Sequence, residues 1–251
     1  MNRNAEMQAL LDTAAILKKT SHCIALTGAG ISAESGVPPF RGPNGLWSRY
    51  DPAEFAHVNA FSSDPGRAWV MFRDMLKPVL AARPNPAHLA LARLESAGFI
   101  KSIVTQNVDG LHQAAGSRSV LEYHGSMLRL ECPACGEKRA ADESDIAASP
   151  FPRCPCGAAM RPDIVLFGES IPAGIVWEGQ LLASSCDAIL VIGTSGMVQP
   201  AAELPFIAKK NRAAVIEFNT AETGLTGAIT DVFVQGPAGK TLPALAEILL
   251  D

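Results

Sequence analysis

Six short aliphatic and β-branched runs alternate with helical patterns along this chain, and that alternation narrows the fold more than any other feature. The runs lie at residues 22–27, 101–105, 163–167, 188–193, 213–218 and 231–234, with helical patterns at 5–19, 86–96, 173–184, 201–210 and 240–250. Apolar runs this short and uninterrupted read as strands buried on both faces, and strands separated by helices pair in parallel. The expected fold is therefore α/β: a parallel sheet covered by helices on both faces. Two stretches break the rhythm, 35–83 and 125–161, and are expected to hang from the sheet and pack together as a smaller second module. Ligand sites belong in the crevice between such modules.

Composition bounds the function. Hydrophobic residues make up 48% of the 251 positions and charged residues 18%, enough for a core and too apolar for a disordered chain. No apolar run approaches the roughly 20 residues that span a bilayer, and the first residues lack the apolar centre of a signal peptide. The expectation is a cytoplasmic protein with no membrane partner. The net charge of −4 comes without any block of like charges, which disfavours nucleic acid as a partner.

After the first strand comes Gly28-Ala29-Gly30-Ile31-Ser32-Ala33, a match to the G-x-G-x-x-G/A loop that lets backbone approach a pyrophosphate. Alone the match is weak, since a glycine-rich turn would look the same. A nicotinamide dehydrogenase would add a second strand ending in an acidic residue about 20 positions on. Asp51 has the distance, but Pro- and Gly-rich sequence leads to it. The hydride-transfer reading therefore loses its second half.

Cys132 and Cys135 form a C-x-x-C pair, and Cys154 and Cys156 follow eighteen residues later as C-x-C. Two thiolate pairs at this separation suit tetrahedral Zn2+, although the second pair has a tighter bite. With four protein ligands such a zinc is structural. Reduced thiols that merely pack are the alternative, and that is the expectation for Cys23 and Cys186. Gln106, Asn107 and Asp109 follow a buried strand and should emerge at its carboxyl end. His124 stands just after another short apolar run, where an imidazole can act as a base. His112 is expected to orient its loop. His22, His57 and His88 show no constellation, and the apolar cluster Trp69, Met71, Phe72 and Met75 reads as a helix stripe facing the core.

These blocks, taken with Glu34 to Pro38, Phe40-Arg41-Gly42, Phe167-Gly168-Glu169, Gly193-Thr194-Ser195 and Asn219, resemble the sirtuins, NAD-dependent protein-lysine deacylases. The resemblance implies a Rossmann-like large domain (1–37, 86–125 and 163–251). It also implies a small domain made of a cofactor loop with a helical insertion (38–85) and a zinc-ribbon insertion (126–162). NAD and an acyl-lysine peptide would enter the cleft from opposite sides. By similarity Ala29, Phe40, Arg41, Gln106, Asn107 and Asp109 would surround the nicotinamide and its ribose, with Gly28, Gly30, Ile31 and Ser32 also binding the cofactor. Gly193, Thr194, Ser195 and Asn219 would hold the remainder. His124 would be the general base, aided by Asn107 and Asp109, and Val165, Phe167, Gly168 and Glu169 would pair with the peptide backbone. The products implied are nicotinamide, O-acetyl-ADP-ribose and free lysine, so NAD is consumed as a co-substrate.

Two departures stand out. Pro39 replaces the Asp or Thr common in the family. The stretch from Gly30 to Gly36 looks most like the class III branch, yet Phe72 and Met75 occupy the positions of its Tyr-x-x-Arg pair. An apolar wall without that cation predicts neutral acyl groups over succinyl. Two further readings compete: an ADP-ribosyltransferase using the same cleavage of NAD, and a non-enzymatic zinc ribbon for nucleic acid, which the acidic balance opposes.

Overall fold

The computed structural model of the chain describes residues 3–40 and 45–251. Its larger sheet contains β1 (Cys23–Thr27), β2 (Ser102–Thr105), β3 (Val120–Glu122), β7 (Ala188–Ile192), β8 (Ala214–Asn219) and β9 (Val232–Gln235). Their spatial order is β3-β2-β1-β7-β8-β9, and all pairings are parallel. Every side chain of β1 and β7 is buried, which is why those segments are uninterrupted aliphatic runs. Alternate residues feed two cores. Cys23 and Ala25 pack with α1 (Arg3–Leu17), α5 (Pro86–Ser96) and α10 (Ala238–Leu250), whereas Ile24 and Leu26 pack with α8 (Ala173–Ser185) and α9 (Leu204–Lys210). At about 1.5–3 kcal/mol for each large aliphatic side chain removed from water, these two layers dominate the stability of this part of the chain.

A second sheet, antiparallel, joins β5 (Lys138–Ala140), β4 (Gly125–Glu131) and β6 (Arg161–Ile164) in that order. Beside it lie α2 (Pro52–Phe55), α3 (Val58–Ser63), α4 (Pro65–Ala81) and α7 (Glu143–Ala147), while the short α6 (Leu111–Ala114) follows the loop after β2. One apolar cluster unites Trp69, Phe72 and Leu76 of α4 with Met127, Leu130 and Met160, so the two stretches that broke the sequence rhythm do pack together. Polar contacts fasten the union. The Trp69 indole donates to the Met160 carbonyl at 2.8 Å, and Arg73 donates to the carbonyls of Ile146, Ala148 and Pro150.

One expectation needs correction. The run 163–167 does not join the parallel sheet: its first residues end β6, because Gly125 at φ 81° brings β4 against the Asp163 backbone, where a Cβ would meet the Asp163 carbonyl oxygen at 2.1 Å. The sixth parallel strand is instead β3, three residues long, paired to β2 through Ile103↔Val120 and its neighbours. Cys23 and Cys186 are core residues as expected. Among the described residues no helix is long and apolar enough to cross a membrane.

Candidate active site

The strand order reverses direction of growth between β1 and β7, and the loops leaving those two strands touch backbone to backbone. The Gly28 N–H donates to the Ile192 carbonyl at 3.0 Å and the Gly30 N–H to the Gly193 carbonyl at 2.8 Å. A Cβ on Gly28 would lie 2.7 Å from Thr194 Cβ, and one on Gly30 would lie 2.8 Å from Gly193 Cα. The glycines are thus required first by the meeting of two protein loops. The Gly30 N–H is spent on that contact, so an amide offered to a phosphate must come from elsewhere in the loop. Beyond the loop, residues Ala29–Ser35 form a 3-10 helix. Ile31 turns away from the crevice into the core beneath α5 and α10. Thr194 is held from both sides, its hydroxyl accepting from Gln106 Nε2 and its carbonyl from Asn219 Nδ2, each at 3.0 Å. Asn219 therefore shapes the wall and is absent from its lining. Asp51 caps α2 by accepting the Ala53 N–H, which leaves no acidic residue in the dehydrogenase role.

Behind Ala29 lies a small chamber lined by Ser32, Val37, Phe40, Met75, Asn107 and Asp109, among others. Its polar end is a closed network. Asn107 Nδ2 donates to the Gly28 carbonyl and to Ser32 Oγ, each at 3.1 Å, and Ser32 Oγ donates to Asp109 Oδ2 at 2.7 Å. Burial pushes the Asp109 carboxyl above its usual range, with the Ser32 hydrogen bond opposing. His88, expected to be isolated, belongs to this network. Its Nδ1 accepts the Asn85 N–H at 3.3 Å as part of the capping box of α5, which turns Nε2 toward Ser32 Oγ at 3.5 Å. His112 behaves as expected, bonding Thr27 Oγ1 at 2.9 Å through Nε2. Burial lowers the two imidazoles to about 4 for His88 and about 3 for His112, so both are neutral near pH 7.

The chamber opens into a cleft of about 700 Å³ between the two sheets. Gly28, Ala29, Gly30, Gly193, Thr194 and Ser195 line one side; Met71, Met75, Val108 and Leu166 are among the residues lining the other. His124 lines the same cleft. Its Nδ1 sits 3.0 Å from the Gln106 carbonyl, an acceptor only, so Nδ1 carries the proton and Nε2 is the basic nitrogen. Burial lowers the His124 pKa, partly offset by that hydrogen bond, which favours the neutral form needed of a base. Phe40 and Phe167, both anticipated, are joined by Trp47, which sequence reasoning missed, in an aromatic series across the rim with centroid separations of 5.5 and 5.7 Å. Its sequence signal was the isolated Trp47 just beyond a Pro/Gly-rich loop. Of the residues anticipated here, Arg41 lies outside the described residues.

Residues 165–169 form a turn and not a strand, with Gly168 at φ 83°. The N–H of Val165 donates to the His124 carbonyl at 3.0 Å, tying the turn to the backbone of His124. The Phe167 N–H and carbonyl are taken by Ala56 and Val58, so Phe167 has no backbone edge left for a peptide. The expectation of pairing along Phe167 is corrected to that extent. Phe72 is fully buried in the core, and of the two positions singled out on α4 only Met75 lines the cleft.

At the far end of the antiparallel sheet the sulfurs of Cys132, Cys135, Cys154 and Cys156 all lie within 4.8 Å of one another. The closest pairs, Cys132 with Cys156 and Cys135 with Cys154, are 3.5 Å apart, near the about 3.8 Å edge of a tetrahedron with 2.3 Å metal–sulfur bonds. Backbone N–H groups of Ala134 and Cys135 face the Cys132 sulfur, that of Glu137 the Cys135 sulfur and that of Cys156 the Cys154 sulfur, opposing the rise that burial imposes on all three and that neighbouring thiols impose on Cys135 and Cys154. The four residues fit a structural zinc ion, with no open position for chemistry.

A doubly wound sheet, a polar chamber at its switch point and a tautomer-fixed histidine across an interdomain cleft define an enzyme that binds a dinucleotide beside a second substrate. Residues 28–200 match the Sir2 family, and the chain belongs to it. It is 47% identical to the NAD-dependent protein deacylase of Pyrococcus furiosus over 237 residues, 92% of this chain and 94% of that one. It is 48% identical to NAD-dependent protein deacylase 2 of Pyrobaculum aerophilum, covering 94% of each chain. Among solved structures it is similar to a Sir2 homologue in complex with NAD (TM-score 0.88, 41% identity, covering 96% of this chain and 93% of the other). It is also similar to a Sir2 mutant with a deacetylated p53 peptide and 3′-O-acetyl ADP-ribose (TM-score 0.89, 34% identity, covering 95% and 98%).

Proposed function

We propose that this chain is an NAD-dependent protein-lysine deacylase acting on acetyl-lysine and longer neutral acyl-lysine residues. The observation that carries the reading is His124, whose Nδ1–H is anchored on the Gln106 carbonyl while its basic Nε2 belongs to the cleft wall. NAD supplies an electrophilic ribose carbon with nicotinamide as its leaving group. Ala29, Phe40, Asn107 and Asp109 hold the nicotinamide end in the small chamber and keep water from it. Gly193, Thr194 and Ser195 hold the rest of the dinucleotide. Nε2 of His124 removes a proton from a ribose hydroxyl, and the turn at Val165–Glu169 presents the acyl-lysine. Its pairing edge is Gly168, whose N–H and carbonyl make no backbone hydrogen bond among the described residues.

Separate apolar cores support the division into a large domain (1–37, 86–125 and 163–251) and a small one (38–85 and 126–162). The four clustered thiols require a reducing compartment, which favours the cytoplasm. The acidic balance favours neither nucleic acid nor a membrane surface as partner.

The test is incubation with NAD and an acetyl-lysine peptide, with mass spectrometry of both products. Loss of an acetyl mass from the peptide with release of nicotinamide is expected. His124→Ala is expected to lower kcat by about 10²–10⁴ without loss of folding. Gain of an ADP-ribose mass by the peptide would instead establish the transferase alternative. Because Met71 and Met75 line the cleft, acetylated peptide is expected to turn over faster than its succinylated copy, whose carboxylate would lie against apolar side chains. Faster succinyl removal would overturn the acyl preference.

A further inference from the structure

A row of alternating charges runs along the antiparallel sheet and ends under the substrate turn. Glu122 meets Arg129 at 2.8 Å, Arg129 meets Asp163 at 3.1 Å, and Lys138 links Asp163 at 3.0 Å to Glu131 at 3.6 Å. Arg161 pairs with Glu131 through Nη2 and with Glu169 through Nη1, both at 2.7 Å. Glu169 then closes the turn: its Oε2 accepts the Leu166 N–H at 2.9 Å, and its own N–H donates to the Leu166 carbonyl at 3.1 Å.

Arg129 and Lys138 are about half exposed, and pairs of that kind contribute little. Arg161 differs. Its side chain is 12% exposed, and its planar fork spans two carboxylates that are themselves mostly buried. Removing that cation leaves Glu169 with no cationic partner among the described residues and Glu131 with only the longer contact to Lys138. Glu131 sits opposite Arg161 in the β4–β6 register and immediately precedes Cys132, so the arm begins at the metal-binding cluster. On the other side, Leu166 and Glu169 both line the cleft.

We propose that Arg161 is a positioning residue that fixes the Leu166–Glu169 turn through Glu169, passing order in the thiol-bearing sheet to the wall that receives acyl-lysine. Arg161 lines neither the chamber nor the cleft. The identity of what the turn receives rests on the deacylase reading, whereas the effect on the turn itself does not.

The test compares Arg161→Met and Arg161→Lys with the unaltered chain. Arg161→Met is expected to raise KM for an acetyl-lysine peptide about tenfold while KM for NAD stays within about twofold; Arg161→Lys, reaching one carboxylate, is expected to raise it about threefold. Hydrogen exchange at the Leu166 and Glu169 amides is expected to quicken in Arg161→Met, with β1 and β7 unchanged. That readout needs no turnover, so faster exchange in an otherwise inactive protein would uphold the positioning role while sinking the deacylase reading. An equal rise in both KM values, or unchanged Leu166 exchange, overturns the proposal. If Arg161→Met does not fold, Glu131→Gln must reproduce the same pattern at smaller amplitude.

Discussion

The two sheets of this molecule are stabilised by different means. In the parallel sheet β1 and β7 are buried at every position, between helices on both faces. In the antiparallel sheet β5 is exposed throughout, and the strands depend on four thiols, the buried Arg161 pairs and one apolar cluster shared with α4. A sheet with two dry faces gains enough from burial to need no cross-link, whereas a three-stranded sheet with one dry face does not. The residues proposed as catalytic lie where the two meet: His124 directly precedes β4, and Asn107 and Asp109 follow β2.

The contrast can be broken most forcefully at the thiols. Cys154→Ser, or chelation, is expected to unfold the antiparallel sheet and lower peptide turnover by more than about 100-fold, while the far-ultraviolet signal of the parallel sheet persists. Trp69, bonded to Met160, gives the fluorescence reading; a single concerted loss of both sheets would defeat the comparison. The converse change is Leu190→Ala in β7, expected to cost about 2–5 kcal/mol in urea unfolding with metal content preserved. Acid acts on the same sheet. His88 and His112 are neutral in the folded state because burial lowers them to about 4 and about 3, and an unfolded chain titrates near 6.5. Unfolding therefore takes up protons below pH 6.5, so stability falls from there toward pH 4. The loss should appear in the parallel-sheet transition and shrink in His88→Gln; equal loss in that variant would count against it.

Much of this was legible in the sequence, and unevenly so. Five of the parallel strands lie within a residue or two of their apolar runs, most clearly β1 and β7, where burial on both faces leaves no polar alternation to blur them. β3 has three residues, and the short apolar run before His124 is too brief to be assigned to the parallel sheet without its partner β2. The 163–167 run reads as a core strand because hydrophobicity reports burial without saying in which sheet; the turn at Gly125 decides that. His124 and the four cysteines were visible from position and spacing. His88 was not, since Ser32 and His112 reach it from distant parts of the chain, and Arg161 was hidden for the same reason.

The link between His124 and Gln106 carries one more implication. Because the acceptor is a main-chain oxygen, no exchange of the Gln106 side chain can delete it, and the choice of basic nitrogen is therefore insulated from sequence drift at that position. Only a shift in the path of the chain beyond β2 could reassign the proton, and the surrounding loops leave that path little latitude.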